Sequence, residues 1–93
     1  MAERRIAFGP VFRRAIDRVG ARPGSAKGRA VAVTMREIAA SAELPAAQDV
    51  RTIIPPTLHV LARVVPGHGI WLLFEADSER VRFVTITRER PAE

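Results

Sequence analysis

The side chains best able to do chemistry lie in the last third of the chain. His59 stands four residues before Arg63, Trp71 and Arg82 follow, and Arg88 and Arg90 close the sequence. A histidine is the side chain whose ordinary pKa lies near neutrality, so His59 is a candidate proton acceptor. His68 lies within Pro66-Gly67-His68-Gly69 and reads as part of a turn. Arginine presents a planar fork of donors that grips phosphate and stabilises negative charge developing on it. Arg63 and Arg88 are candidates for that role, and Arg82 and Arg90 for contact with a nucleic-acid backbone. Trp71 is suited to stacking on a base, to filling a partner's pocket, or to ordinary core packing. No phosphate-binding glycine loop, nucleophile elbow or HExxH metal motif accompanies them. With no cysteine and two histidines, disulfides, thiolate sites and a zinc site of the usual kind are not expected. Neither a metal nor a cofactor is expected.

Composition narrows the setting. Ninety-three residues allow one domain, spanning 1–93, and a hydrophobic share of 47% is enough for a core. No basic-then-apolar segment opens the chain, and no apolar run approaches the roughly 20 residues that cross a bilayer. A cytoplasmic location without a membrane partner is therefore expected. The net charge is +5, and all the basic residues except Lys27 are arginine. A small basic domain points to a polyanionic partner, nucleic acid before membrane. Arg13, Arg14, Arg18, Arg29 and Arg36 read as a solvated helical face, some of them able to dock RNA backbone.

These side chains need a scaffold, and hydrophobic spacing predicts one. Ile6 and Phe8 alternate in a short strand. Gly9-Pro10 then opens a helix, with Phe12, Ala15, Ile16 and Val19 on one stripe and Gly20 at its end. A second helix is predicted over about Ser25 to Ala42, with Val31, Met35, Ile38 and Ala42 on its apolar side. Residues 43–56 contain three prolines and read as a loop, with a turn of helix around Ala46 to Val50. Strands are predicted over Thr57–Val65, Ile70–Ala76 and Val81–Thr87, joined by tight turns and so antiparallel. Alternation separates Val81 and Phe83 from Arg82, Val84 and Ile86. The expected fold is α+β, of order β-α-α-β-β-β: a small antiparallel sheet with a two-helix hairpin on one face. His59, Arg63 and Trp71 are expected on the open face.

The hairpin Gly69-Ile70-Trp71-Leu72-Leu73-Phe74-Glu75-Ala76-Asp77, then Arg80-Val81-Arg82-Phe83-Val84-Thr85-Ile86-Thr87-Arg88, resembles the C-terminal hairpin of RelE/ParE-type toxins. The upstream strand, helical hairpin, loop and strand follow the same order, so the resemblance spans nearly the whole chain. It implies the toxin of a toxin–antitoxin pair, held by a cognate antitoxin. Members of that family either cut mRNA on the ribosome or inhibit DNA gyrase without cutting. For the first activity the resemblance matches Arg88 to the arginine ending the last strand and Arg63 to a basic residue on the strand entering the meander. Metal-independent cleavage needs the 2′-hydroxyl proton removed, which His59 would do, and the phosphorane charge stabilised by Arg63 and Arg88. Trp71 stands where many members carry arginine, and the chain has no tyrosine. Those departures keep open the alternative, a toxin or degenerate member that only binds.

Overall fold

The computed structural model describes residues 3–92. Strand β1 (Arg5–Phe8) leads through Gly9 into helix α1 (Pro10–Val19), and helix α2 (Ala26–Ala40) returns across the sheet. Four strands follow: β2 (Val50–Ile54), β3 (Leu58–Val65), β4 (Ile70–Ala76) and β5 (Arg80–Thr87). They form one five-stranded sheet in the order β1-β5-β4-β3-β2. Both helices and the three-stranded meander stand where periodicity predicted them.

Local chemistry explains the helix ends. Proline at the start of α1 has no N–H to leave unpaired. Gly20 ends that helix with φ +75°, a left-handed conformation that glycine adopts without strain. Ser25 caps α2, its Oγ accepting from the Gly28 N–H at 2.9 Å. The stripes then meet the sheet. Phe12 stacks against Phe83 at 5.7 Å between ring centroids, and Phe83 against Phe74 at 5.9 Å. Phe12, Ile38, Leu72 and Phe74 are fully buried with Val31, while Ile16 and Met35 pack at the margin. Each such large side chain contributes roughly 1.5–3 kcal/mol when buried.

Three expectations need correction. The sheet is mixed, because β1 pairs with β5 in parallel, Ile6 opposite Val81 and Phe8 opposite Phe83. Chain reversal between β1 and the meander is made by the helical pair rather than by a hairpin, which permits a parallel edge. Residues 50–54, expected as loop, form the edge strand β2 beside β3. Val50, Thr52 and Ile54 supply β-branched alternation there, and the prolines lie just outside the strand. The faces also differ. Val64 pairs with Trp71 and Arg63 with Leu72, so Arg63 belongs with Leu72 on the helix-covered side and Trp71 on the other. His59 follows Leu61 and Arg63 by alternation, so it does not share Trp71's face.

A register shift between Leu73 and Phe74 completes the rearrangement. Leu73 pairs with Thr85 but Phe74 with Phe83, leaving Val84 as the extra residue of a bulge. Ile86 thereby turns to the helix side with Val81 and Phe83, and all three are buried. The outer side holds a second apolar cluster of Val50, Val60, Ala62 and Leu73, flanked by Trp71 and Val84.

Asp77 fixes the β4–β5 turn. Its carboxylate accepts from the N–H groups of Glu79 and Arg80, each at 2.8 Å. Those bonds hold its pKa below the ordinary aspartate value. The ionised form is therefore favoured by folding. Its stabilising effect is present above the unfolded pKa and is lost as pH falls through the folded one. Asp77→Asn keeps an acceptor oxygen and removes the charge. Wild type should melt above this variant at pH 7, with the gap closing as the pH drops below about 4. Melting curves that stay parallel down to about pH 2 would remove the carboxylate from the turn's stability.

Candidate functional site

The residues singled out for catalysis do not converge. His59 is exposed near the start of β3, one side-chain repeat beyond the Leu61–Phe74 pair and toward Ala76. Arg88 follows Thr87, whose partner Trp71 is near the opposite end of β4. At about 3.3 Å per residue, the run from Trp71 to Ala76 separates them by roughly 17 Å. A proton acceptor at His59 cannot serve an anion held by Arg88 across that span.

Arg63 is engaged elsewhere. Its side chain is 5% exposed, and that of Asp49 is fully buried. The two form a fork, Arg63 Nε donating to Asp49 Oδ1 at 2.6 Å and Nη2 to Oδ2 at 3.0 Å. Oδ2 also accepts from the Ala46 N–H at 2.8 Å. The guanidinium thus ties the loop before β2 to the sheet and has its charge matched by a carboxylate. Arg82 is likewise paired, its Nε donating to Glu75 at 2.7 Å on the surface.

A different grouping forms at the far end of the sheet. Arg88 Nη2 donates to the Arg18 carbonyl at 3.0 Å, and Arg18 Nη2 to the Ile86 carbonyl at 3.3 Å. The end of α1 and the end of β5 are thereby laced together by two arginines. Lys27 Nζ reaches the Val19 carbonyl at 3.0 Å, satisfying a further orphan acceptor of that helix terminus. Arg90 lies over the half-buried Trp71 ring, 5.9 Å from its centroid. Beyond Arg90 the chain crosses the outer face, where Thr52 Oγ1 donates to the Ala92 carbonyl. A groove of about 450 Å³ runs beside this crossing, floored by Leu73 and Ile54.

Sequence reasoning set Arg88 with Arg63 and His59, and Arg90 with Arg82 and Trp71, and treated Arg18 as part of a solvated helical face. The parallel run of α1 beside β5 brings Arg18 to Arg88, and no spacing within either element reveals that. Among the described residues no group of three or more His, Asp or Glu side chains could hold a metal ion. No helix among them is long and apolar enough to cross a membrane.

No family model, no curated protein and no solved structure matches the chain. Its functional reading rests on its own residues.

Proposed function

We propose that this chain is the toxin of a toxin–antitoxin pair, RelE/ParE-like, which acts in the cytoplasm by binding its target rather than by cutting RNA. The element order and the two-helix unit on one sheet face support the family reading. The observation that carries the choice of mechanism is the state of Arg63. A guanidinium with a 5% exposed side chain, its charge already matched by the fork to Asp49, is not open to a phosphorane, and His59 stands far from Arg88. An antitoxin has a place to bind on the other side of the molecule. Ile6, Phe8 and Val11 are exposed around the open edge strand β1, where a partner strand or helix would bury them.

The test is induced expression of the chain alone and with a small acidic protein encoded beside it. Growth arrest relieved by the partner is expected, with no cleavage of a ribosome-programmed message and with inhibition of gyrase supercoiling by the purified chain. Message cleavage that falls about a hundredfold in both Arg88→Ala and His59→Ala would return the assignment to a ribonuclease. Normal growth on strong expression would remove the toxin reading.

A further inference from the structure

Charge is distributed unevenly along the sheet axis. The end formed by the close of α1, the start of α2 and the close of β5 carries Arg18, Arg22, Lys27, Arg29, Arg88 and Arg90. The acidic residues in the same segments, 17–29 and 86–92, are Asp17 and Glu89. That excess of four accounts for most of the chain's net +5. The opposite end is mixed and paired: Arg5 faces Glu79 at 4.0 Å and Arg82 binds Glu75. No ion pair among the described residues lies at the basic end.

The bonding of these cations matters more than their number. Arg18, Lys27, Arg29 and Arg88 donate to the carbonyl oxygens of Ile86, Val19, Gly24 and Arg18. Carbonyls orient a guanidinium or ammonium without neutralising it. The cations are held in place and keep their charge. Like charges about 4 Å apart repel by about 1 kcal/mol per pair even in water. The carbonyl bonds of Arg18, Lys27 and Arg88 help join α1 to β5 and α2, but they leave the summed charge uncompensated, and Arg22 and Arg90 add to it with no such bond among the described residues. A polyanion would compensate it.

Its chemical class follows from what is missing there. The large exposed apolar side chains, Ile6, Phe8, Val11, Val33 and Ile53, lie on β1, early α1, the middle of α2 and β2. A protein interface needs an apolar centre, and the basic end has none apart from the half-buried Trp71. Five guanidinium groups with one stacked indole suit phosphates and an adjacent base.

We propose that this basic end docks the sugar–phosphate backbone of a nucleic acid, with Trp71 under Arg90 as the stacking platform at its rim. The surface is distinct from the β1 edge assigned to a protein partner, and it does not depend on the toxin reading.

The test uses the full chain with two labelled probes, a single-stranded RNA of about 20 nucleotides and a duplex DNA of about 20 base pairs, between about 50 and 200 mM salt. Six phosphate contacts predict a slope of log affinity on log salt of about −4 for the single strand and about −5 for the duplex. The pair Arg22→Gln with Arg29→Gln should reduce either slope by about 1.5 to 2 and weaken low-salt binding at least about tenfold. The pair Arg5→Gln with Arg80→Gln, exposed and opposite each other on β1 and β5, removes the same charge from the other end and should leave both unchanged. Trp71→Phe should weaken the RNA by about tenfold and the duplex far less, since only unpaired bases stack. Circular dichroism establishes that each variant is folded. Equal weakening by the two arginine pairs would overturn the surface, as would polyglutamate competing as well as RNA at equal charge. Growth arrest without nucleic-acid binding would remove this surface and leave the toxin reading intact. Binding without arrest would do the reverse.

Discussion

Asp49→Ala should destabilise the fold by about 3–5 kcal/mol, because it strands a buried guanidinium. Arg63 sits on the helix-covered side of β3, between Leu61 and Val65, with its fork closed on Asp49. Loss of the carboxylate leaves that cation in an apolar setting and takes away the acceptor of the Ala46 N–H. For a domain of this size each kcal/mol shifts Tm by roughly 4–8 °C, so the drop is on the order of 20 °C. Arg63→Met alone should cost less, since a neutral chain fills part of the space and Asp49 can turn toward water with its loop. The double variant Asp49→Leu with Arg63→Met should recover most of the loss, because apolar replacement of a buried pair is often neutral. Thermal and denaturant unfolding of the three variants measure this. A drop below about 1 kcal/mol for Asp49→Ala would mean the pair is solvated. The double variant also separates structure from function. If Arg63 only holds the fold, the stabilised double variant keeps growth arrest and nucleic-acid binding at wild-type levels.

This pair also shows where the sequence stops being informative. The helices were legible because their stripes are one-sided, Phe12 to Val19 on α1 and Val31 to Ile38 on α2, with glycine, proline and serine at the ends. The meander was legible from its turns. Face assignment was not, because both sides of β3 and β4 are apolar. Alternation yields two sets of residues and does not say which set meets the helices. Arg63 then looked like an open-face residue, since the carboxylate that makes its burial tolerable is fourteen positions earlier in a loop. Ile86 was set opposite Phe83 because a bulge at Val84 leaves no signature in hydrophobic spacing. The basic end was half legible. Arg88, Arg90 and Trp71 are close in the hairpin pattern, whereas Arg18 and Lys27 join them through the crossing of α1 beside β5.

Gly28→Ala should also destabilise, against the direction that helix propensity alone gives. Gly28 lies in the first turn of α2, where alanine is ordinarily favoured over glycine by about 1 kcal/mol. Here the turn between the helices passes directly over it. A Cβ at this position would overlap the Arg22 carbonyl oxygen and would lie 2.8 Å from that carbonyl's carbon and 3.1 Å from the Ala21 oxygen. All three are backbone atoms, so no side chain can swing aside. The helix must tilt, or the turn must lift and loosen the Ser25 cap with it. Forced overpacking of this kind costs about 1–3 kcal/mol, and a lost cap about 1 more, so the clash outweighs the propensity gain. The expected net loss is about 1–3 kcal/mol, read by thermal unfolding. Gly9→Ala is the control: nothing lies near a Cβ there and φ is −116°, so its only cost is that of alanine at the N-cap of α1, at most about 1 kcal/mol. An unchanged or raised Tm for Gly28→Ala would show that the turn has room to move. The same substitution reaches function, because the displaced turn carries Arg22 and adjoins Lys27 and Arg29. At a temperature where the variant is still folded, nucleic-acid affinity should fall severalfold with little change in salt slope, since the cations are moved and none is removed.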